Sequence, residues 1–173
     1  GDSLGMVLYG MKSTREVKLD TMIIHAKAVK KSTKRSLVVF DMPYKTYSNK
    51  SIAYKKIKKI MKLTKCDAVK LEGGKEIINI VKYLTSKGIP VMGHIGLLPQ
   101  SSLSFKIKGK KLNQKNKIYN DAILLSKAGV FSIILECVVE DLAKTITKTI
   151  SIPTIGIGAS KYCDGQILVI NDM

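Results

Sequence analysis

Ala68-Val69-Lys70-Leu71-Glu72 is a short apolar run with a lysine at its centre and a carboxylate at its end. It is too short for a helix, and its Val and Leu content predicts a strand with both faces covered. Four more runs are built alike: Ser36 to Asp41, Pro90 to His94, Ser132 to Glu136 and Pro153 to Gly158, with a sixth, Ile167 to Asp172, closing the chain. Between them, Ala53, Ile57, Ile60 and Met61 fall on one helical face, as do Ile77, Ile80, Val81 and Leu84, while lysines take the opposite side. Alternating strand and helix units predict an α/β chain with a parallel sheet covered by helices. Asp20, before Thr21-Met22-Ile23-Ile24, reads as an N-cap, and Gly88 and Gly129 stand where helices should stop.

Two segments break this rhythm. Ser104 to Lys117 is lysine-rich with a central Gly109 and shows no helical face, so it reads as a long loop, either a solvated excursion or a mobile lid. Ala159 to Gln166 is too short for the helical crossover that parallel strands normally need.

The 173 residues suit one domain, 1–173, with a sizeable core. The net charge of +17 is almost wholly lysine, since only Arg15 and Arg35 are arginines, and it is scattered along every predicted helix. Nucleic-acid binders concentrate charge on one face, favour arginine and add aromatics for stacking, so a solvated surface is the first expectation and salt-dependent adhesion to polyanions the second. No stretch approaches the roughly 20 apolar residues of a membrane span. Cys66, Cys137 and Cys163 are widely spaced and form no CxxC pair, which disfavours a disulfide framework or a structural zinc site and suits a reducing cytoplasm.

The chemistry gathers at the ends of the runs. Asp41, Glu72, His94 and Glu136 close four of them, and the opening turn Gly1-Asp2-Ser3-Leu4-Gly5-Met6 adds an acid and a hydroxyl. In a barrel of strand-helix units those ends converge on one face. A lone acid there can equally cap the following helix. Asp2, Asp41 and Glu72 offer only oxygen donors, so a cation held by them would be hard, Mg²⁺ before Mn²⁺. Lys70 and Glu72, two residues apart, point to the same side of their strand, where Lys70 could hold an anion beside the metal. Glu136 sits in apolar company suited to a general base. His94 either orients a substrate oxygen or satisfies a buried backbone group, and His25 is assigned to packing or surface.

Together the opening turn, Asp41-Met42-Pro43, Val69-Lys70-Leu71-Glu72-Gly73-Gly74, Gly93-His94-Ile95-Gly96-Leu97 with Pro99-Gln100-Ser101, Leu135-Glu136-Cys137, and Ile152 to Ala159 followed by Cys163-Asp164-Gly165-Gln166 resemble the ketopantoate hydroxymethyltransferase family across the whole chain. The resemblance implies a (β/α)8 TIM barrel of the phosphoenolpyruvate/pyruvate type. It also implies a bound Mg²⁺ held by Asp2 and Asp41 with Glu72 in or beside its shell, and an oxo acid bound by Asp2, Ser3, Asp41 and Lys70. Glu136 would be the proton acceptor, 5,10-methylenetetrahydrofolate the one-carbon donor, and the assembly a homo-oligomer, typically a decamer. The chain departs from the pattern at Lys45, Leu98, Val138 and Ser160-Lys161-Tyr162, all in loops.

A complete barrel of this kind needs about 250 residues. The expectation is therefore an incomplete barrel, lacking its first strand-helix unit and C-terminal end. Another metal-dependent carbon-carbon lyase or mutase on the same barrel, and a basic noncatalytic binding module, are the competing expectations.

Overall fold

The computed structural model describes residues 1–102 and 106–169. A four-residue helix, α1 (Leu4–Val7), follows the opening turn, and a capped 3₁₀ turn, Thr14–Glu16, leads into α2 (Leu19–Ser32). Strands and helices then alternate: β1 (Val39–Asp41), α3 (Lys50–Thr64), β2 (Ala68–Glu72), α4 (Ile78–Ser86), β3 (Val91–Gly96), α5 (Leu112–Lys127), β4 (Ser132–Glu136), α6 (Glu140–Thr149), β5 (Thr154–Ile157) and β6 (Gly165–Gln166). All neighbouring strands are parallel and their order in space is their order in the chain, giving a curled six-stranded sheet, a half-barrel.

Strand alternation divides the runs between two environments. Phe40, Val69, Leu71, Ile133 and Leu135 are fully or nearly fully buried. They join Ala53, Ile57 and Ile60 of α3, Val81 and Leu84 of α4, Ala122 and Leu125 of α5, and Ala143 and Ile146 of α6 in one apolar core. At Gly93 helix α5 packs close to the sheet: a Cβ there would lie 3.1 Å from Leu125. The opposite set, Asp41, Lys70, Glu72, His94 and Glu136, shares the other face because Asp41 pairs with Lys70, Glu72 with His94, and Gly96 with Glu136.

Local signals set several element ends, and at Gly88 and Gly129 they do so as read from the sequence. The side chain of Asn49 accepts from Ile52 N at 2.9 Å and starts α3. Gly88 and Gly129 adopt φ +73° and +86° just past α4 and α5, a region glycine enters without steric cost. Three expectations are corrected. Asp20 is not the N-cap of α2; Lys18 holds that position, and Asp20 lies in the first turn. The segment read as a loop through Lys117 contains the first six residues of α5, Leu112 to Lys117. Ser104 and Phe105, the start of the supposed lid, lie outside the described residues. Among the described residues the last strand is Gly165–Gln166, and the described part of the run from Ile167, residues 167–169, is not strand. Ile167 and Leu168 are exposed and outside any strand, and the end of that run lies outside the described residues.

The short β5–β6 connection closes without a helix because side chains do the holding. Asp164 Oδ2 accepts from Thr154 N at 2.8 Å and from its hydroxyl at 3.1 Å, and Gln166 Nε2 donates to Ser160 O at 2.8 Å. At the other end, Asp67 Oδ2 accepts from Val38 N and pairs with Lys30 of α2, tying the β1 entry to its covering helix.

Gly96, at the end of β3, has φ +97°, and a Cβ there would collide with the Glu136 carbonyl and with Val138. Gly96→Ala is expected to destabilise the fold by about 2 to 4 kcal/mol in denaturant titrations. Gly88→Ala, whose Cβ would meet open space, should cost about 1 kcal/mol. Equal effects from the two would count against this packing.

Candidate active site

At the C-terminal ends of β1 to β4 the polar side chains form one connected line. Lys70 Nζ lies 3.1 Å from Asp41 Oδ2 and 3.1 Å from His94 Nδ1. His94 Nε2 lies 3.1 Å from Glu136 Oε2, at an angle short of a well-formed hydrogen bond. An ammonium can only donate, so His94 Nδ1 must accept and its proton sits on Nε2, facing Glu136. His94 is therefore a bridge between Lys70 and Glu136, a role neither sequence alternative described. Its surroundings agree with a neutral ring: burial, reinforced by Lys70, holds its pKa below the usual imidazole value.

Asp2 joins from the opening turn. Its backbone amide donates to Asp41 Oδ2 at 3.1 Å, and its carboxylate is 3% exposed. Ser3 follows it, half-buried, with a hydroxyl that does not cap α1. Three carboxylates, Asp2, Asp41 and Glu72, thus stand around one ammonium, and their ionisations are pushed apart. Burial would raise Asp41, but Lys70, the ammonium of Gly1 and the Asp2 amide together outweigh it and hold the group below the ordinary carboxylate value. Burial pushes Asp2 up to about 7, with Asp41 adding to the rise. Burial likewise pushes Glu72 up to about 8, partly offset by Lys70 and strengthened by Asp41 and Asp2. Lys70 stays above its ordinary value because the three acids overcome its desolvation.

The Glu136 carboxylate is partly exposed and meets the His94 imidazole; of the apolar residues before it, Ile134 shares its face of the sheet, while Ile133 and Leu135 join the core. The next residue, Cys137, has φ +50°, and its amide donates to Ile157 O at 2.8 Å, which turns the chain sharply behind the acid. Lys108 N donates to Cys137 O, so the loop before α5 is pinned beside this turn.

One residue of the site was given no role in the sequence. Gln100, 2% exposed, donates from Nε2 to Asp2 Oδ2 at 2.8 Å and to Met42 O at 2.9 Å. Its amide nitrogen donates to Glu72 Oε2 at 3.0 Å. Tyr47 donates its hydroxyl to Gln100 Oε1 at 3.1 Å, and Arg15 Nε donates to Gln100 O at 2.6 Å. The signal was present as Pro99-Gln100-Ser101, but a single polar residue in a loop carries no periodicity.

Among the described residues no three His, Cys, Asp or Glu side chains close into a metal cage. A fit to Mg²⁺ does not require one, since that ion commonly takes one or two carboxylates and completes its shell with water and substrate oxygens. The donor set offers what such a site needs. Among the described residues Asp41 Oδ1 and Glu72 Oε1 are buried without a hydrogen-bond partner, and an uncompensated buried acceptor is costly.

A parallel half-barrel with acids, a lysine, a histidine and a glutamate at the C-terminal ends of its strands is the frame of a barrel enzyme with its chemistry on one face. The family model described as ketopantoate hydroxymethyltransferase matches residues 1–173, and the chain belongs to that family. It is similar to the 3-methyl-2-oxobutanoate hydroxymethyltransferase of Pelagibacter ubique (57% identity over the whole chain and 67% of the relative) and to that of Anaplasma marginale (48%, covering 64%). A Chlorobium phaeobacteroides relative of the same name is 48% identical and covered to 65%. The chain spans about two thirds of the length of these relatives. No helix among the described residues is long and apolar enough to cross a membrane.

The raised acids set a pH dependence. A carboxyl whose folded pKa is raised binds extra protons in the folded state, so its stabilisation is complete below the unfolded value and is lost as pH rises through the folded one. For Asp2 those values are 3.8 and about 7, and for Glu72 they are 4.5 and about 8. His94, lowered from 6.5, is neutral in both states above about pH 7 and leaves the upper window clear. Metal-free protein is expected to lose thermal stability as pH rises from about 5 to about 8, with the stretch from pH 7 to 8 due to Glu72 alone, and added Mg²⁺ is expected to flatten the loss. A melting temperature that rises with pH across that window would contradict these protonation states.

Proposed function

We propose that this protein transfers a hydroxymethyl group from 5,10-methylenetetrahydrofolate to 3-methyl-2-oxobutanoate, giving 2-dehydropantoate for pantothenate biosynthesis. The observation that carries the reading is the continuous line Asp41–Lys70–His94–Glu136 beside Asp2, in a chain of this family. Relatives bearing the name of this activity support it. The fold would be a TIM barrel of the phosphoenolpyruvate/pyruvate type.

Asp2 and Asp41 would hold Mg²⁺, with Glu72 at the margin of its shell. When bound, the ion would supply Lewis acidity at the 2-oxo group. Lys70, kept cationic by its acids, neutralises the substrate carboxylate, and Ser3 at the mouth of the turn donates to it. Glu136 takes the proton from C3, leaving an enolate whose C3 attacks the methylene carbon of the folate. Water then releases tetrahydrofolate, and the carbon remains on C3 as a hydroxymethyl group. His94 keeps Glu136 aimed by presenting Nε2–H to its carboxylate.

Proton removal can be read without folate, as deuterium exchange at C3 of 3-methyl-2-oxobutanoate. Glu136→Gln is expected to slow that exchange by about 10² to 10⁴-fold. Asp41→Ala should remove its dependence on Mg²⁺. Exchange at the normal rate in Glu136→Gln would dismiss this residue as the base, and unaltered Mg²⁺ dependence in Asp41→Ala would dismiss the cation assignment.

A further inference from the structure

We propose that Gln100 is a positioning residue for the cation site, dividing the oxygens of Asp2 and Glu72 into one that is held and one that is left for the ion. The inference rests on the reading that these acids, with Asp41, hold a divalent cation. Gln100 reaches both acids with different groups: its side-chain amide engages Asp2 Oδ2, and its backbone amide engages Glu72 Oε2. The division recurs at Asp41, where the Asp2 amide and Lys70 both take Oδ2 and leave Oδ1 without a partner. Glu72 shows the same outcome, with Oε2 engaged and Oε1 buried and unpaired among the described residues.

The chemistry of an amide suits the task. Nε2 has two hydrogens, and both go to oxygen acceptors, Asp2 Oδ2 and Met42 O, which fixes the orientation of the amide. Its oxygen is occupied in turn by the Tyr47 hydroxyl, which also accepts from Glu72 N at 3.3 Å. Arg15 holds the backbone from the other side and stacks its guanidinium 5.0 Å over the Tyr44 ring. A lysine in place of Gln100 would bring a positive charge that competes with the cation, and an acid would add repulsion. A neutral donor fixes the carboxylates and leaves their charge available.

The test uses Mn²⁺ alone as the probe, with free ion counted by electron paramagnetic resonance and the bound spectrum recorded, on wild-type protein, Gln100→Met and Tyr47→Phe. Gln100→Met is expected to weaken Mn²⁺ binding about 10 to 100-fold and to alter the bound spectrum, with circular dichroism unchanged. Tyr47→Phe, which frees one end of the amide, should weaken binding about threefold by the same route. Mn²⁺ affinity within twofold of wild type in Gln100→Met overturns the positioning role, even if its melting temperature falls. Should Gln100→Met fail to fold, Tyr47→Phe decides, and an unchanged affinity and spectrum there overturn the role. If wild-type protein itself binds no Mn²⁺, the cation reading falls and this inference with it.

Discussion

Everything at the polar end of this sheet follows from one buried ammonium. Removing a lysine head group from water costs several kcal/mol unless partners compensate it, and Lys70 finds Asp41 on one side and His94 on the other. That pairing settles three matters at once. Asp41 stays ionised, His94 is left with a single tautomer, and the proton of that tautomer faces Glu136. The strand register supplies the geometry, since Asp41 and Lys70 are direct parallel partners and so stand on the same face.

The same cation cannot satisfy three acids. Asp41 gets the contact, while Asp2 and Glu72 are left to desolvation and mutual repulsion and keep their protons to higher pH. An excess of carboxylate around a single lysine is a poor way to stabilise a resting protein. It is a suitable way to build a place that gains from an added positive ion, and Gln100 holds that excess in order without contributing charge.

Much of this was legible in the chain, and the reasons differ by element. Ala68–Glu72 and Ser132–Glu136 were bounded correctly because their continuous β-branched and leucine runs have no other use in so few residues. The acids and Lys70 were found because strand ends in such folds converge. The start of α5 was missed since its first turns point into solvent; Leu112 is 73% exposed, and the apolar face begins only at Ile118, Ala122 and Leu125. Gly165–Gln166 was not read as a strand because it carries no apolar run; its pairing with β5 is braced instead by the Asp164 and Gln166 side chains. Gln100 gave no pattern at all, since its importance lies in five contacts that come from distant parts of the chain.

Because strand order in space repeats strand order in sequence, each site residue arrives with its own unit, and the cluster has a seam. Opening the segment from Gly1 through α2 would withdraw Asp2 from both Asp41 and Gln100. The β2–β3–β4 ladder and its Lys70–His94–Glu136 line would stay intact. Asp2 is thus held by the opening turn, and the Lys70–His94–Glu136 line by the middle of the sheet. The two can differ in hydrogen-exchange protection and in lifetime, so on the proposed function cation binding and proton removal would answer to separate cooperative units.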